Sequence, residues 1–284
     1  MNHNDYVNDQ VNKKDFYIKK KFSQNFLLDE NIIKKIIKAA DINQNSYVIE
    51  IGPGFGALTK YLVKQSKKLL LYEIDEELIP HLETLFNDDK NIHINHQDFL
   101  KAENIDGDIN TYLDNADEVT VISNLPYHIT TPIIMKILEE SKKVKRLVLM
   151  MQYEVAKRLT SQPNTKDYNA LSVIIQDQTN SQYMFKVPKT VFKPRPKVDS
   201  AVIRLDIYDG KGNKRFYKFV HACFVQRRKT LVNNLNASYG LEKEKLKITL
   251  EKLNLDDRIR AEALTLEDFK RLYNIFLEED LIWF

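Results

Sequence analysis

Apolar residues recur along the first two thirds of the chain in two alternating periods. Over Glu30–Ala40, the residues Ile32, Ile33, Ile36, Ile37 and Ala40 fall on one face of a 3.6-residue repeat, which predicts an amphipathic helix. Positions 47–51 form a short apolar run of strand length that ends in glycines. The two signatures then alternate. They predict helix at 57–64, strand at 69–74, helix at 76–86, strands at 92–95 and 119–122, helix at 132–140 with Pro132 near its first turn, and strand at 146–151. Apolar strands separated by helical stretches predict a parallel sheet covered on both faces.

The pattern changes after Asp209-Gly210-Lys211-Gly212-Asn213, the best candidate for a linker. Beyond it the apolar stripes are all at helical spacing, over 216–224, 242–253 and 266–277, and Thr265-Leu266-Glu267-Asp268 resembles a capped helix start. The chain therefore reads as an α/β domain over 1–208, with a polar leader at its start, and a small helical domain over 209–284. No internal repeat is visible.

Composition narrows the class. Of 284 residues, 43% are hydrophobic and 29% charged, as in an ordinary globular protein. No run of apolar residues is long enough to span a membrane, and positions 1–17 are polar with no apolar signal core, so a cytoplasmic protein with no membrane partner is expected. A lone cysteine, Cys223, excludes an internal disulfide and sits in an apolar run, where a buried inert thiol is expected. His93 and His96 lie three apart in a predicted strand and so point to opposite faces; no metal site is expected.

The net charge of +3 hides its distribution. Positions 209–284 hold 15 Lys and Arg against 12 Asp and Glu, which leaves 28 of each (43 less 15, 40 less 12) in the rest of the chain. Positions 13–21 carry five Lys and one Asp, and positions 211–240 carry seven Lys and Arg with no acid. Such a stretch is either a solvated face or a phosphate-binding surface, and the absence of carboxylates favours the second.

In open parallel sheets, ligands sit at the carboxyl ends of strands. After the first strand comes Glu50-Ile51-Gly52-Pro53-Gly54-Phe55-Gly56-Ala57, whose glycines allow a tight turn and close approach of backbone to a ligand. At the end of the second strand stands Glu73, able to accept from both ribose hydroxyls of a nucleoside. At the end of the third stands Asp98, placed to accept from an adenine amine. Gly52, Gly54 and Ala57, with Glu73 at 21 residues from Gly52, equally satisfy a dinucleotide-binding fingerprint. A nicotinamide enzyme and a methyltransferase remain open at this point.

The fourth strand separates them. It runs into Asn124-Leu125-Pro126-Tyr127. The exocyclic amine of adenine is a poor nucleophile because its lone pair is delocalised into the ring. Two acceptors on its hydrogens, the Asn124 side-chain oxygen and the Leu125 carbonyl, favour the pyramidal amine. Pro126 stiffens the turn and Tyr127 can stack on the base. Phe192, opening Phe192-Lys193-Pro194-Arg195-Pro196-Lys197-Val198, either closes over the base from the other side or packs into the core. A nicotinamide oxidoreductase would need a catalytic acid or base near the glycine loop, and no convincing one is present.

With these residues in place the chain resembles the ribosomal RNA adenine dimethyltransferase family. The matching segments are Phe22-Ser23-Gln24-Asn25-Phe26-Leu27, Glu50 to Gly54, Glu73-Ile74-Asp75, Asp98-Phe99-Leu100, Asn124 to Thr131, Phe192 to Ser200 and Phe224 to Leu235. The resemblance implies a Rossmann-like, mostly parallel seven-stranded sheet with a helical C-terminal domain, and S-adenosylmethionine as cofactor. It implies that Asn25 and Leu27 touch the cofactor, Gly52 its methionine part, Glu73 its ribose and Asp98 its adenine, with Asn124 serving cofactor and target amine. Arg227, Arg228 and Lys229 are the RNA-binding candidates, with an exposed helix end as the other reading.

Two branches of that family are open. One dimethylates two adjacent adenosines of 16S ribosomal RNA in the immature small subunit; the other dimethylates one adenine of 23S RNA and confers macrolide resistance. Leu125, Thr130-Thr131-Pro132 and Gln226-Arg227-Arg228-Lys229-Thr230-Leu231 resemble the first. The chain departs from the pattern in its longer polar leader before Lys19 and in Tyr153, which stands where Lys is common. A non-catalytic RNA-binding assembly factor on the same fold would be expected to lack Glu73, Asp98 or Asn124, and all three are present. Nothing demands more than a monomer.

Overall fold

The computed structural model describes residues 25–210 and 212–282. The polar leader, the basic run at 13–21, residues 22–24 of the first matching segment and Lys211 lie outside the described residues. The described residues form nine strands: β1 (Phe26–Leu27), β2 (Tyr47–Ile51), β3 (Lys68–Glu73), β4 (Ile92–His96), β5 (Val119–Asn124), β6 (Val144–Gln152), β7 (Thr179–Val187), β8 (Phe192–Lys193) and β9 (Ser200–Ile207). Seven form one sheet in the order β4-β3-β2-β5-β6-β9-β7, and β1 pairs with β8 in a small antiparallel ribbon.

Within the sheet, β2 pairs in parallel with β3 and with β5, β3 with β4, and β5 with β6, while β9 runs antiparallel to β6. The chain thus lays strands outward from β2 on one side and then returns to β5 on the other. The crevice at this reversal is where open α/β sheets bind ligands. Val48, Ile49, Leu69, Leu70, Leu71, Val121 and Ile122 are all fully buried. Runs apolar on both faces fit a sheet with helices on each side.

The helix Glu30–Ala40 buries the expected isoleucine face, and the carboxylate of Asp29 caps it by accepting from Asn31 N at 2.8 Å and Ile32 N at 3.2 Å. The helices around the sheet begin and end within a few residues of the periodicity; the one expected over 76–86 is regular only over Ile79–Leu85. Sequence patterning did not mark β7, β9 or the helices Ile105–Tyr112, Tyr153–Leu159, Ala170–Gln178 and Leu231–Tyr239.

The described residues divide into two compact units, one from those up to 156 together with 182–209, the other from 157–181 together with those from 210 onward. The expected boundary assigned 157–181 to the first domain, whereas the structure groups it with the second. The cause is packing: Tyr168 and Val173 share an apolar cluster with Phe216, Phe219, Cys223 and Phe276. The Tyr168 hydroxyl donates to the carbonyl of Leu264 at 3.0 Å, and Asn164 N donates to that of Glu262 at 2.8 Å.

In the second unit, Thr265 and Asp268 form the reciprocal capping box of the helix Leu266–Glu278, at 3.0 and 3.1 Å. The thiol of Cys223 is fully buried, and burial raises its pKa. Asn234, 2% exposed, pins the turn at 224–230. Its Nδ2 donates to the carbonyls of Cys223 (2.8 Å) and Gln226 (3.2 Å), and its Oδ1 accepts from Gln226 N at 3.0 Å. Asn234→Ala strands these buried groups, so we expect a loss of about 1–3 kcal/mol, read as a lower urea midpoint of unfolding.

Candidate active site

The carboxyl ends of β2, β3, β4 and β5 open onto one cavity of about 280 Å³ in the first unit. Its wall is built from Asn25 to Leu27, the turn after β2, Glu73-Ile74, residues 97–100 and residues 124–129. Asn25, Leu27, Gly52, Glu73, Asp98, Asn124, Leu125, Pro126 and Tyr127 are all on it.

The turn after β2 needs glycine. Gly52 and Gly54 have φ of +69° and +59°, in the left-handed region that side chains disfavour. Gly52 N–H donates to the carbonyl of Tyr72 at 2.8 Å, which fastens the turn to β3. A Cβ on Gly54 would stand 3.2 Å from the Phe26 ring, whereas nothing lies within 4 Å of the Cβ position of Gly52. Gly52 therefore presents bare backbone to open space on the cavity wall.

Glu73 is 3% exposed. Its Oε1 accepts from Ile74 N and Asp75 N, both at 2.9 Å, and its Oε2 accepts from Gly54 N at 3.1 Å. Burial nevertheless holds this carboxyl above the ordinary carboxylate range, against the pull of those three donors. Glu50 is 1% exposed and accepts from Thr59 Oγ1 at 2.6 Å. Burial pushes its carboxyl up to about 8; the Thr59 hydroxyl opposes the rise and the charge of Glu73 adds to it. Sequence reasoning placed Glu50 in the glycine motif without giving it a role. Its signal was an acid inside an otherwise apolar strand.

Asp98 sits past the end of β4 in extended backbone, and its Oδ1 accepts from Leu100 N at 3.0 Å. Ile74, 43% exposed, also lines the cavity. Sequence reasoning ended a strand on this residue and missed it as an apolar wall; the signal was an isoleucine directly after a strand-end acid.

Asn124, the last residue of β5, donates through Nδ2 to the carbonyl of Asn25 at 3.1 Å, and a primary amide so engaged keeps Oδ1 as an acceptor. Leu125 N–H donates to Met150 at 3.3 Å, and the Pro126 carbonyl accepts from Ile129 N at 3.2 Å, fixing both ends of the turn. The Tyr127 hydroxyl and Ser200 Oγ share a hydrogen bond of 2.8 Å, and burial raises the phenol's pKa. Phe192 is not on the cavity wall. It is 5% exposed and packs in the apolar cluster with Leu27, Val187 and Met150, because β8 pairs with β1 and sets Phe192 opposite Leu27. The expectation that it closes over a base is corrected: its ring is core.

Arg227, Arg228 and Lys229 belong to the second unit, where they occupy the exposed turn between helices Lys214–Cys223 and Leu231–Tyr239. Arg227 donates to the carbonyl of Lys166 and lies 3.6 Å from the Glu262 carboxylate. Among the described residues, no three His, Cys, Asp or Glu are grouped to hold a metal ion, and no helix is long and apolar enough to cross a membrane.

A mostly parallel seven-stranded sheet with a glycine turn and acids at successive strand ends is the fold of the Rossmann-like, S-adenosylmethionine-dependent methyltransferases. The family model for ribosomal RNA adenine dimethylase matches residues 15–278, and the chain belongs to that family. The ribosomal RNA small subunit methyltransferase A of Bacillus licheniformis is 44% identical over 267 residues, 91% of each chain. A dimethyladenosine transferase from Plasmodium falciparum superposes with a TM-score of 0.76 at 26% identity, covering 91% of this chain and all of that one. The 23S rRNA methyltransferase ErmE superposes with a TM-score of 0.68 at 26% identity, over 88% and 98%.

The buried acid gives a pH signature with a definite sign. The pKa of Glu50 is raised on folding from 4.5 to about 8. Its contribution to stability is therefore complete below about pH 4.5 and is lost as pH rises towards 8. Glu50→Gln should melt increasingly above the unaltered protein as pH rises through that window, with the gap constant beyond it. A gap independent of pH, measured by thermal melting from pH 5 to 9, would remove the buried-acid assignment.

Proposed function

We propose that this protein transfers methyl groups from S-adenosylmethionine to N6 of two adjacent adenosines in 16S ribosomal RNA during small-subunit biogenesis in the cytoplasm. The observation that carries the reading is the location of Asn124-Leu125-Pro126-Tyr127 on the same cavity wall as Glu73 and the Gly52 turn.

The cavity fits such a donor. Glu73 is suited to its ribose hydroxyls and Asp98 to its adenine amine, beside the apolar Ile74 and Leu100. The bare backbone at Gly52 admits the methionine part, with Asn25 and Leu27 closing from the N-terminal side. Among the lining residues are Glu73 and Asp98 and no Lys or Arg, which suits a ligand with a cationic centre, while Glu50 holds its proton near neutral pH. When bound, the donor supplies a methyl group on positively charged sulfur.

The chain's own residues do the rest. Tyr127 stacks on an extruded adenine. In the first transfer the Asn124 side-chain oxygen and the Leu125 carbonyl accept from the two N6 hydrogens, which frees the lone pair and aims it. N6, cationic once methylated, gives one proton to solvent, and the second transfer uses the one hydrogen that remains. Alignment then supplies most of the acceleration, and no strong base is required. Phe192 acts here only through packing, by holding Leu27 in place across the β1–β8 ribbon. Arg227, Arg228 and Lys229 contact RNA phosphates from their exposed turn.

The small-subunit target is favoured over 23S RNA by the greater identity to the small-subunit enzyme than to ErmE, and by Leu125 and Thr130-Thr131-Pro132. Incubation with labelled donor and unmethylated 30S or 50S particles tests this: two adjacent dimethyladenosines in 16S RNA are expected, and a single labelled adenine in 23S RNA would overturn the assignment. Asn124→Ala should cut transfer by at least about 10²–10³-fold, the cost of losing one preorganised transition-state hydrogen bond, with donor binding still measurable by calorimetry. Replacing Arg227, Arg228 and Lys229 by Ala should weaken RNA binding and lower the slope of log affinity against log salt by about one per lost phosphate contact; an unchanged slope returns that turn to the solvent.

A further inference from the structure

The catalytic edge of the sheet carries a second aromatic cluster that the transfer step leaves unused. β6 ends at Gln152, opposite Ser200 at the start of β9, and Ser200 is the hydroxyl partner of Tyr127. One residue further, Tyr153 N–H donates to the carbonyl of Asp199 at 3.0 Å. Its ring meets that of Tyr183 on β7 edge to face, with centroids 6.4 Å apart and planes at 84°. Lys186 Nζ lies 5.1 Å from the centroid of Tyr153 and 2.8 Å from the Asp199 carboxylate. Tyr183 is 41% exposed as a residue, and the Lys186 side chain 53%. Tyr153 is the residue by which this chain departs from the family pattern.

An exposed aromatic face accepts any nucleobase, and an ammonium beside it accepts the phosphate that joins that base to the next. We propose that Tyr183 and Lys186, braced by Tyr153, form a subsite for the nucleotide that adjoins the target adenosine. The base lies on the Tyr183 ring and its phosphate on Lys186. This rests on the reading of the protein as an RNA adenine methyltransferase, and adds to it where the neighbouring nucleotide goes. The ion pair between Lys186 and Asp199 does not block the subsite. It is a half-exposed pair of low net worth, and Asp199 keeps the Lys189 N–H at 2.9 Å when Lys186 turns to a phosphate. The cluster is tied to the Tyr127 turn through neighbouring residues: Ser200 hydrogen-bonds Tyr127, and Asp199, next to it, accepts from Tyr153 N–H.

The test uses the full chain and two readouts. With unmethylated 30S particles, Tyr183→Ala should raise KM for RNA about tenfold at unchanged kcat, as loss of one stacked base does, and Tyr183→Phe, which keeps the ring, should match the unaltered protein. Lys186→Ala should raise KM and lower the salt slope by about one. In an RNA hairpin with two adjacent unpaired adenosines and 2-aminopurine on either side of them, binding should quench the fluorophore at one flank, and Tyr183→Ala should abolish that quenching. Equal KM and equal quenching in Tyr183→Ala, with transfer by the unaltered protein intact, overturns the subsite alone. Failure of the unaltered protein to methylate any ribosomal RNA overturns the function beneath it.

Discussion

The site depends on one buried carboxylate. Glu73 is shut away from water at the end of β3, and such a group is costly unless hydrogen-bond donors surround it. Those donors are the backbone N–H groups of Gly54, Ile74 and Asp75, so the glycine turn after β2 and the chain after β3 are organised around a single side chain. The positive φ of Gly52 and Gly54 follows from this demand, because the turn must reverse sharply enough to aim Gly54 N–H at Glu73. A second carboxyl, Glu50, lies close enough to raise the cost, and it escapes by holding its proton near neutral pH.

The other half of the site is fastened to this one through the N-terminal segment. Asn25 offers its carbonyl to Asn124, the Phe26 ring packs tilted against Phe55 of the glycine turn with centroids 4.6 Å apart, and Leu27 pairs with Phe192. Three consecutive residues thus touch the end of β5, the turn after β2 and the β8 strand. A short two-residue strand has little stability of its own. Its order comes from these three contacts, which is why a segment so remote in sequence can form part of one cavity wall.

Much of this was legible in the chain. The alternation of apolar runs located β2 to β6; β2, β3, β5 and β6 are largely buried and need no alternation to be seen, while the edge strand β4 was marked by Ile92 and Ile94. β7 was hidden: Asn180, Gln182 and Lys186 on its wetter face interrupt it, and Tyr183 adds a further exposed side chain. The helix Leu231–Tyr239 was obscured by its asparagines, one of which, Asn234, proves to be a buried support for the turn before it. At the site, glycines and strand-end acids were visible because their chemistry is local. Phe192 was placed by its motif near a base, but strand pairing with Leu27 decided its direction, and pairing between residues so far apart in sequence leaves no trace in a local pattern. The segment 157–181 joined the second unit for the same reason, through Tyr168 and its bond to Leu264.

The charge balance takes on meaning only when sorted by place. A net charge of +3 predicts little about partners, yet the cavity wall holds Glu50, Glu73 and Asp98 and, among its lining residues, no Lys or Arg. The acid-free stretch at 211–240 places Arg227, Arg228 and Lys229 on an exposed turn instead. A protein that must hold a cationic donor and a polyanionic acceptor faces opposite electrostatic requirements. Uniform basicity would favour RNA everywhere, including over the donor cavity, and uniform acidity would repel the RNA. Near-neutrality overall, with acids on the cavity wall and basic residues on an exposed turn, is compatible with both requirements, so a weak total charge does not argue against two ligands of opposite sign.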